Sequence, residues 1–160
     1  EQKVRAAAVR VSDGEGHGSG GMIKYKDMTF ILTAQHVADG ALGRAYLVSN
    51  ESEDDIAILI YKDPVHDMSV LYMPREFKQA KGIKWKPAQI MLQTYGWFGC
   101  SGSLIYNEKG RAAGILWGID IQRGLPQENI VWVAPIQNLD LNLAIKALCT
   151  GLADKPKACK

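Results

Sequence analysis

The chain carries a serine, a histidine and an aspartate whose neighbours suit them for nucleophilic chemistry. Ser101 stands between glycines in the segment GCSGS, His36 lies in the segment TAQHV, and Asp67 opens the apolar run DMSVL. A serine hydroxyl is a poor nucleophile at neutral pH, so it needs an imidazole to take its proton and a carboxylate to orient that imidazole. The order His, Asp, Ser therefore predicts a hydrolase with Ser101 as nucleophile, His36 as general base and Asp67 as orienting acid.

The composition is that of a globular protein and argues against several function classes. Apolar residues make up 47% and charged residues 22% of the 160 positions, and the net charge of +2 is too small to indicate binding to nucleic acid or an anionic membrane. No apolar run approaches the roughly eighteen residues of a membrane span. The sequence has no Cys-x-x-Cys pair and no phosphate-binding glycine loop, so we predict neither a metal nor a cofactor.

The cysteine count gives little support to a disulfide framework. The chain has three cysteines at irregular spacing, Cys100, Cys149 and Cys159. A pair between Cys149 and Cys159 across the C-terminal tail is one possibility. The odd count favours the other, a reduced intracellular protein.

Strand-like segments dominate the elements that must position these residues. Runs rich in Val, Ile, Leu and Tyr alternate with clusters of Gly, Asn, Asp and Pro, which is typical of an all-β barrel or sandwich. The predicted strands are Val4–Val11, Gly20–Lys26, Met28–Thr33, Arg44–Val48, Asp55–Tyr61, Asp67–Met73, Gln89–Thr94, Gly102–Asn107, Arg111–Trp117 and Asn129–Val133.

One helix is predicted near the C-terminal end, over residues 138–150, with Asn138 as its cap. Its predicted apolar face consists of Leu141, Ala144, Ile145 and Leu148. The connector Pro74–Pro87 is a natural midpoint of the chain, and we expect one domain over 1–160. In that domain, 1–76 would form a first part with His36 and Asp67, and 85–136 a second part with Ser101.

Short motifs in a fixed order resemble the trypsin/chymotrypsin-like serine protease superfamily, and its HtrA-type members in particular. Residues 18–23 (GSGGMI) look like the Gly-Ser-Gly opening before the catalytic histidine, and residues 30–37 (FILTAQHV) are similar to the LTxxHV block. Residues 63–71 (DPVHDMSVL) are similar to the DPxxDLAVL block. Residues 99–103 (GCSGS) stand where these proteins carry GNSGG, and residues 132–136 (WVAPI) resemble their FAIP segment.

This resemblance implies a fold and a mechanism. The fold would be all-β, with two packed antiparallel β-barrels and a short C-terminal helix, and the activity would be that of a serine endopeptidase acting through an acyl-enzyme. The backbone N–H groups of Gly99 and Ser101 would form the oxyanion hole. An extended polypeptide substrate would pair along Ile115–Gly118. The residues implied to bind the substrate are Tyr95, Phe98, Leu116, Trp117, Gly118 and Asp120.

The resemblance also helps to choose between competing residues for the nucleophile. In cysteine proteases of this fold the pattern is Gly-x-Cys-Gly, but Phe98 and Ser101 stand at its two glycine positions around Cys100. Ser101 satisfies Gly-x-Ser-Gly directly, with Gly99 and Gly102 beside it. We therefore expect Cys100 to be a small buried side chain.

The choice of the acid is less firmly based. Asp55 also opens an apolar run, and it stays open as an alternative, although the Asp-Pro-x-x-Asp lead-in favours Asp67. His66 precedes Asp67 and is expected to point away from it if the segment is extended.

The short stretch between Asp67 and Ser101 contains one clear predicted strand, so we expect a reduced second barrel. A chain this compact is similar to the proteases of positive-strand RNA viruses, which cut polyproteins in the cytoplasm of a host cell. The alternative function is a peptide-binding module on a protease fold, which would be catalytically silent or blocked by its own C-terminus.

Overall fold

The computed structural model describes residues 6–86, 100–151 and 159. In these residues it is built mainly from β-strands, with a 3₁₀ turn at Ile136–Asn138 and an α-helix at Leu141–Gly151, which confirms the predicted all-β class. No helix of the described residues is long and apolar enough to cross a bilayer. The elements are β1 (Ala8–Ser12), β2 (His17–Tyr25), β3 (Met28–Thr33), β4 (Ala45–Ser49), β5 (Asp54–Asp63), β6 (Met68–Met73), β7 (Ile83–Lys84), β8 (Leu104–Tyr106), β9 (Ala112–Gln122), β10 (Leu125–Pro135) and α1 (Leu141–Gly151).

The first six strands close into an antiparallel barrel. Their order is β1-β4-β5-β6-β3-β2, and β1 pairs back to β2 to complete the ring. The short strand β7 adds to β2 in parallel. Because the ring is closed, the register of each strand is fixed by two neighbours, which leaves little freedom for residues at its rim.

Strand β3 separates two apolar cores. Alternate residues of a strand point to opposite faces, and all of β3 is buried. Ile31 packs inside the barrel with Leu71 of β6, whereas Phe30 and Leu32 belong to a second core outside it. That second core also contains side chains from β8, β9, β10 and α1, namely Leu104, Ile115, Ala134, Leu141, Ala144, Ile145 and Leu148. It fixes the later strands and the helix against the barrel wall.

Strands β8, β9 and β10 form a second antiparallel sheet in the order β10-β9-β8. The turn between β9 and β10 consists of Arg123 and Gly124, both at positive φ (53° and 77°), as a two-residue hairpin turn of type I′ requires. The predicted strand Gln89–Thr94 lies outside the described residues. The boundaries 1–76 and 85–136 of the two halves therefore stay predictions.

The C-terminal helix has the predicted apolar face, because Leu141, Ala144, Ile145 and Leu148 are all buried. Its predicted cap was wrong. Asn138 ends the preceding 3₁₀ turn, and the Oδ1 of Asp140 accepts the backbone N–H of Asn142 at 2.9 Å. A carboxylate in this position satisfies a donor that the first helical turn leaves unpaired.

The expectation of free cysteines throughout was also wrong. Cys149 of α1 forms a disulfide with Cys159, and their Cα atoms are 5.5 Å apart. An odd cysteine count does not prevent pairing when two residues lie close in sequence and the third, Cys100, stays free.

Candidate active site

His36 and Asp67 come together because β3 and β6 are neighbouring strands. The two strands run antiparallel with Thr33 opposite Ser69, so the chain that leaves β3 and the chain that enters β6 meet at one rim of the barrel. The buried hydroxyl of Ser69 donates to the carbonyl of Ala38 at 2.9 Å and anchors the turn that carries His36. Strand register thus places a base and an acid side by side.

Asp67 uses both of its carboxylate oxygens on His36. Oδ2 lies 2.7 Å from the imidazole Nδ1, and Oδ1 accepts the backbone N–H of His36 at 2.9 Å. An imidazole that donates from Nδ1 presents Nε2 as a proton acceptor. The carboxylate reaches this position from a left-handed backbone conformation, φ 53° at Asp67, which aspartate tolerates better than most residues.

The turn that carries Ser101 is tied to both halves of the molecule. The carbonyl oxygen of Ser101 accepts the N–H of Ser19 in β2 at 2.8 Å. The N–H of the next residue, Gly102, donates to the carbonyl of Leu116 in β9 at 2.6 Å. These two bonds fix the backbone of the turn between the barrel and the second sheet.

Only glycine fits at position 102. Its φ is +92°, and a Cβ there would overlap the carbonyl oxygen of Ser19 and the Oγ1 of Thr33. Thr33 is fully buried and donates its hydroxyl to the same Ser19 carbonyl at 2.8 Å. Close backbone approach is therefore the reason for the glycine that follows Ser101.

Gly18 brings the turn of Ser101 next to the turn of His36. A Cβ at Gly18 would come within 3.0 Å of both the Val37 side chain and the carbonyl oxygen of Ser101. Since Val37 directly follows His36, the absence of a side chain at position 18 allows the two turns to pack together.

The hydroxyl of Ser101 is directed away from His36. Its Oγ donates to the carbonyl oxygen of Trp117 in β9 at 3.3 Å, and no hydrogen bond joins it to His36, although both residues belong to the described part of the chain. The structure therefore brings His36 and Asp67 into contact. Ser101 lies beside them, with its hydroxyl bonded to Trp117 instead of to His36. Catalytic hydrogen bonds often tighten only when substrate is bound.

A cleft of about 560 Å³ opens over this pair. It is lined by His36, Pro64, Val65, His66, Asp67, Trp117, Val133, Ala134 and Pro135. His66 lines the same cleft as Asp67, and the condition for its expected opposite direction, an extended segment, is not met. The segment that precedes β6 is a turn rather than an extended strand, and strand alternation does not apply to it.

The residues predicted to bind substrate lie in different surroundings. Trp117 exposes 40% of its surface and lines the cleft, whereas the side chain of Leu116 is buried. Gly118 pairs with Trp132 of β10, and Asp120 lies further along β9. Tyr95, Phe98 and Gly99, the last predicted for the oxyanion hole, lie outside the described residues.

The segment predicted to pair with the substrate was Ile115–Gly118, and this prediction was wrong for Ile115 and Leu116. Ile115 pairs with Leu104 on one side and with Ala134 on the other, so its strand edges are occupied. Leu116 bonds to the turn of Ser101 on one side and pairs with Val133 on the other. A substrate strand that pairs with β9 has to begin its pairing after Leu116.

The competing residues have other partners. Asp55 accepts a hydrogen bond from Arg75 at 2.8 Å and lies in β5 opposite Val48, so it does not contact His36. Cys100 is a half-buried free thiol. In residues 6–86, 100–151 and 159, no three His, Cys, Asp or Glu side chains cluster as metal ligands would.

Sequence reasoning missed the residues that hold the site together. Thr33, Ser69 and Ser19 position the turns of His36 and Ser101 by hydrogen bonds, and only their closeness to the motifs could have singled them out. Trp132 stacks on Trp117 with ring centroids 5.8 Å apart, and its exposure, 47%, is not visible in a strand pattern.

Solved structures that match this arrangement of strands include proteases. The serine endoprotease from Yersinia pestis matches 89% of this chain and 64% of its own length, with a TM-score of 0.67 and 20% sequence identity. The chain has the chymotrypsin-like fold. The NSP4 proteinase from Equine Arteritis Virus matches 81% of this chain and 72% of its own, with a TM-score of 0.60 and 16% identity.

A variant of the HtrA-type protease AlgW with a tripeptide has the same chymotrypsin-like fold. It matches 91% of this chain and 60% of its own length, with a TM-score of 0.61 and 16% identity. No model of a protein family and no curated protein sequence matches the chain. The chymotrypsin-like fold therefore rests on structure, and the chemistry has to be argued from the geometry of the site.

Proposed function

We propose that this protein is a serine endopeptidase that hydrolyses peptide bonds through an acyl-enzyme on Ser101. The observation that carries the proposal is the two-point contact of Asp67 with His36 at the floor of an open cleft. A carboxylate that binds both the ring and the backbone of one histidine orients the imidazole for proton transfer, and a serine turn is packed beside it.

The reaction begins with a rotation of the Ser101 side chain. Its hydroxyl leaves the carbonyl oxygen of Trp117 and donates to Nε2 of His36. The Oγ attacks the scissile carbonyl carbon while Nε2 takes its proton, and the C–N bond of the tetrahedral intermediate then breaks as Nε2 returns the proton to the leaving amine. Water then attacks the resulting ester as Nε2 takes its proton. The ester C–Oγ bond breaks, Nε2 returns the proton to the Oγ of Ser101, and the second product leaves.

Asp67 supports this sequence without itself accepting a proton. Its Oδ2 keeps the Nδ1–H tautomer of His36 and stabilises the imidazolium that forms during attack. The backbone N–H groups of Gly99 and Ser101 are proposed to face the developing oxyanion. Each such donor contributes about 100- to 1,000-fold to the rate.

The substrate class is an extended polypeptide. A neighbouring protease structure contains a tripeptide, and the cleft offers a half-exposed indole at Trp117 together with the apolar wall residues Val65 and Pro135. A peptide that adds to β9 after Leu116 would bring its scissile bond towards Ser101. We propose Tyr95, Phe98, Gly118 and Asp120 as further parts of this binding surface.

Digestion of a peptide library tests the proposal. The protein should cleave a subset of peptides, Ser101→Ala should cleave none, and Ser103→Ala should cleave the same subset as the unaltered chain. Ser103 is a matched control because it lies in the same turn and uses only backbone atoms in the hydrogen bonds of that turn. Equal cleavage by Ser101→Ala would show that another group performs the reaction.

The second candidate is a silent or self-inhibited peptide-binding module on the same fold. Two observations favour it, namely the Ser101 hydroxyl bonded to Trp117 and the disulfide that ties residue 159 back to α1. Reduction of the disulfide, or removal of residues 152–160, should increase cleavage at least about tenfold if the tail blocks the cleft. Peptide binding without cleavage in every form would favour the silent module.

A finer role in processing a viral polyprotein is supported by one observation, the likeness to the arterivirus proteinase. This role is tested by expressing the longer polypeptide that its open reading frame encodes together with either the active chain or the Ser101→Ala variant. Discrete fragments that appear only with the active form would support it, and an uncut precursor would oppose it.

A further inference from the structure

The turn before β6 contains a second imidazole–carboxylate pair. The carboxylate of Asp63 lies 2.7 Å from the Nδ1 of His66. The same carboxylate accepts the backbone N–H groups of Val65 at 3.0 Å and His66 at 3.2 Å. The Asp63 side chain thus closes the turn that runs from the end of β5 to His66.

Asp67 directly follows this closed turn and has a left-handed backbone conformation. Asp67 has a φ of 53°, which L-residues adopt at a cost of about 1 kcal/mol or more. From this backbone geometry both of its oxygens reach His36. Something in the preceding residues has to hold it, and the Asp63–His66 pair is the side-chain contact that the described residues provide there.

The charge state of the turn fits this role. Burial would raise the pKa of Asp63, but hydrogen bonds from the His66 side chain and from the backbone of His66 and Val65 outweigh burial and lower the pKa. The carboxylate is therefore ionised above its usual titration range and accepts all three donors. The side chain of Asp63 is 16% exposed and that of His66 is 42% exposed, so water competes with the pair only in part.

We propose that His66 is a positioning residue for the active site: by donating to Asp63 it holds Asp67 in the left-handed conformation that orients His36. The inference rests on the proposed peptidase function for its kinetic readout. His66 contacts neither Ser101 nor His36 in this role. It acts through Asp63 and the backbone of the turn.

The variant pair His66→Ala and His66→Asn tests the inference. An asparagine amide nitrogen can occupy the place of Nδ1 and donate to Asp63, whereas alanine cannot. We expect His66→Ala to lower kcat about tenfold on every cleaved peptide, the equivalent of one lost hydrogen bond, with little change in KM. His66→Asn should keep most of kcat. His17→Ala, at the exposed start of β2, is the matched control and should change neither parameter.

A second readout does not depend on turnover. The Nδ1–H proton resonance of His36, observed by NMR with labelled histidine, reports the hydrogen bond to Asp67. It should shift or broaden in His66→Ala and stay in place in His66→Asn, while thermal unfolding checks that each variant is folded.

The outcomes separate the two proposals. Unchanged kcat and an unchanged His36 resonance in His66→Ala would overturn the positioning role. Equal losses in His66→Ala and His66→Asn would also overturn it. A loss confined to certain peptides would instead make His66 a substrate contact. If no peptide is cleaved in a Ser101-dependent way, the proposed function fails, and the resonance of His36 still decides the positioning role.

Discussion

The two parts of the candidate site are built differently. On one side, which we call the barrel side, His36 and Asp67 extend from neighbouring strands of a closed barrel and already contact each other through two hydrogen bonds. On the other, the nucleophile side, Ser101 lies in a turn whose backbone is firmly tied but whose hydroxyl bonds to Trp117. His36 and Asp67 are already in contact, whereas Ser101 has to rotate in the proposed mechanism.

In the proposed mechanism, this difference separates the rigid part of the site from the part that moves. The contacts between Asp67 and His36 can lower the activation barrier only if they persist during the reaction. The closed barrel, which holds both residues on neighbouring strands, favours this persistence. A single side-chain rotation is fast in comparison with typical turnover, so the resting rotamer of Ser101 is compatible with activity. In the proposed mechanism the barrel side therefore stays rigid, and the one required motion is that of the Ser101 side chain.

The largest expected effect comes from breaking the barrel-side pair. Asp67→Asn should lower kcat by about 10,000-fold with the fold intact, because the amide favours the wrong tautomer of His36. Peptide hydrolysis measures the loss, and circular dichroism confirms the fold. Asp55→Asn is the matched control, since Asp55 contacts Arg75 instead. Near-normal activity in Asp67→Asn together with a loss in Asp55→Asn would move the acid to Asp55.

The next largest effect should come from the nucleophile side. Gly102→Ala should lower the free energy of unfolding by about 2–4 kcal/mol and abolish activity, because a Cβ would force the turn away from Ser19 and Thr33. Gly43→Ala is a matched control with a φ of +93° and open space around it. It should lose only about 1 kcal/mol. Equal losses in the two variants, measured by denaturant unfolding, would show that packing at Gly102 is unimportant.

A smaller, pH-dependent effect is expected away from the cleft, where Glu76 binds Lys24 and Thr29. The hydrogen bond from Lys24, with help from Thr29 and against burial, lowers the pKa of Glu76 below 4.5. Its contribution to stability is thus present above pH 4.5 and is lost as the pH falls through the folded-state pKa. Glu76→Gln should cost about 1 kcal/mol at pH 7, reduced by solvent exposure, and this cost should shrink as the pH falls through the folded-state pKa of Glu76. A difference from the unaltered chain that grows on acidification would contradict this sign.

The smallest expected effect is a gain in stability in the second sheet. The hydroxyl of Tyr106 in β8 is buried without a hydrogen-bond partner among the described residues, and burial raises the pKa of Tyr106 to about 12. Tyr106→Phe removes an unpaired polar group and should stabilise the fold by about 0.5–1 kcal/mol. Thermal unfolding measures this gain, and a clear loss of stability would mean that the hydroxyl has a partner in the protein.

Strong local patterns allowed parts of the fold to be predicted from the sequence. The bounds of β3, Met28–Thr33, were predicted correctly because an apolar run ends at clear turn residues. The apolar face of α1 followed from helical spacing. The hairpin of β9 and β10 was predicted too short, because Leu125 and Pro126 looked like a turn, whereas the turn is formed by Arg123 and Gly124. The two-residue strand β7 is too short to leave a pattern.

For the candidate site, motifs in the sequence indicated residue types but not their conformations. The segments around His36 and Asp67 led to two side chains that the barrel register brings into contact. The rotamer of Ser101 depends on a carbonyl of β9, which is distant in sequence, and no local pattern contains it. The position of His66 in the cleft depends on the turn closed by Asp63, and an alternating pattern predicts the opposite direction.

Reaction with a serine-directed fluorophosphonate tests the central claim most directly. The account predicts one adduct per chain by intact mass, located on Ser101 by peptide mapping. The adduct should be absent in Ser101→Ala and form much more slowly in His36→Ala. An unmodified Ser101 under conditions that fully modify a known serine protease, or an adduct at any other residue, would contradict the claim that the barrel-side pair activates Ser101.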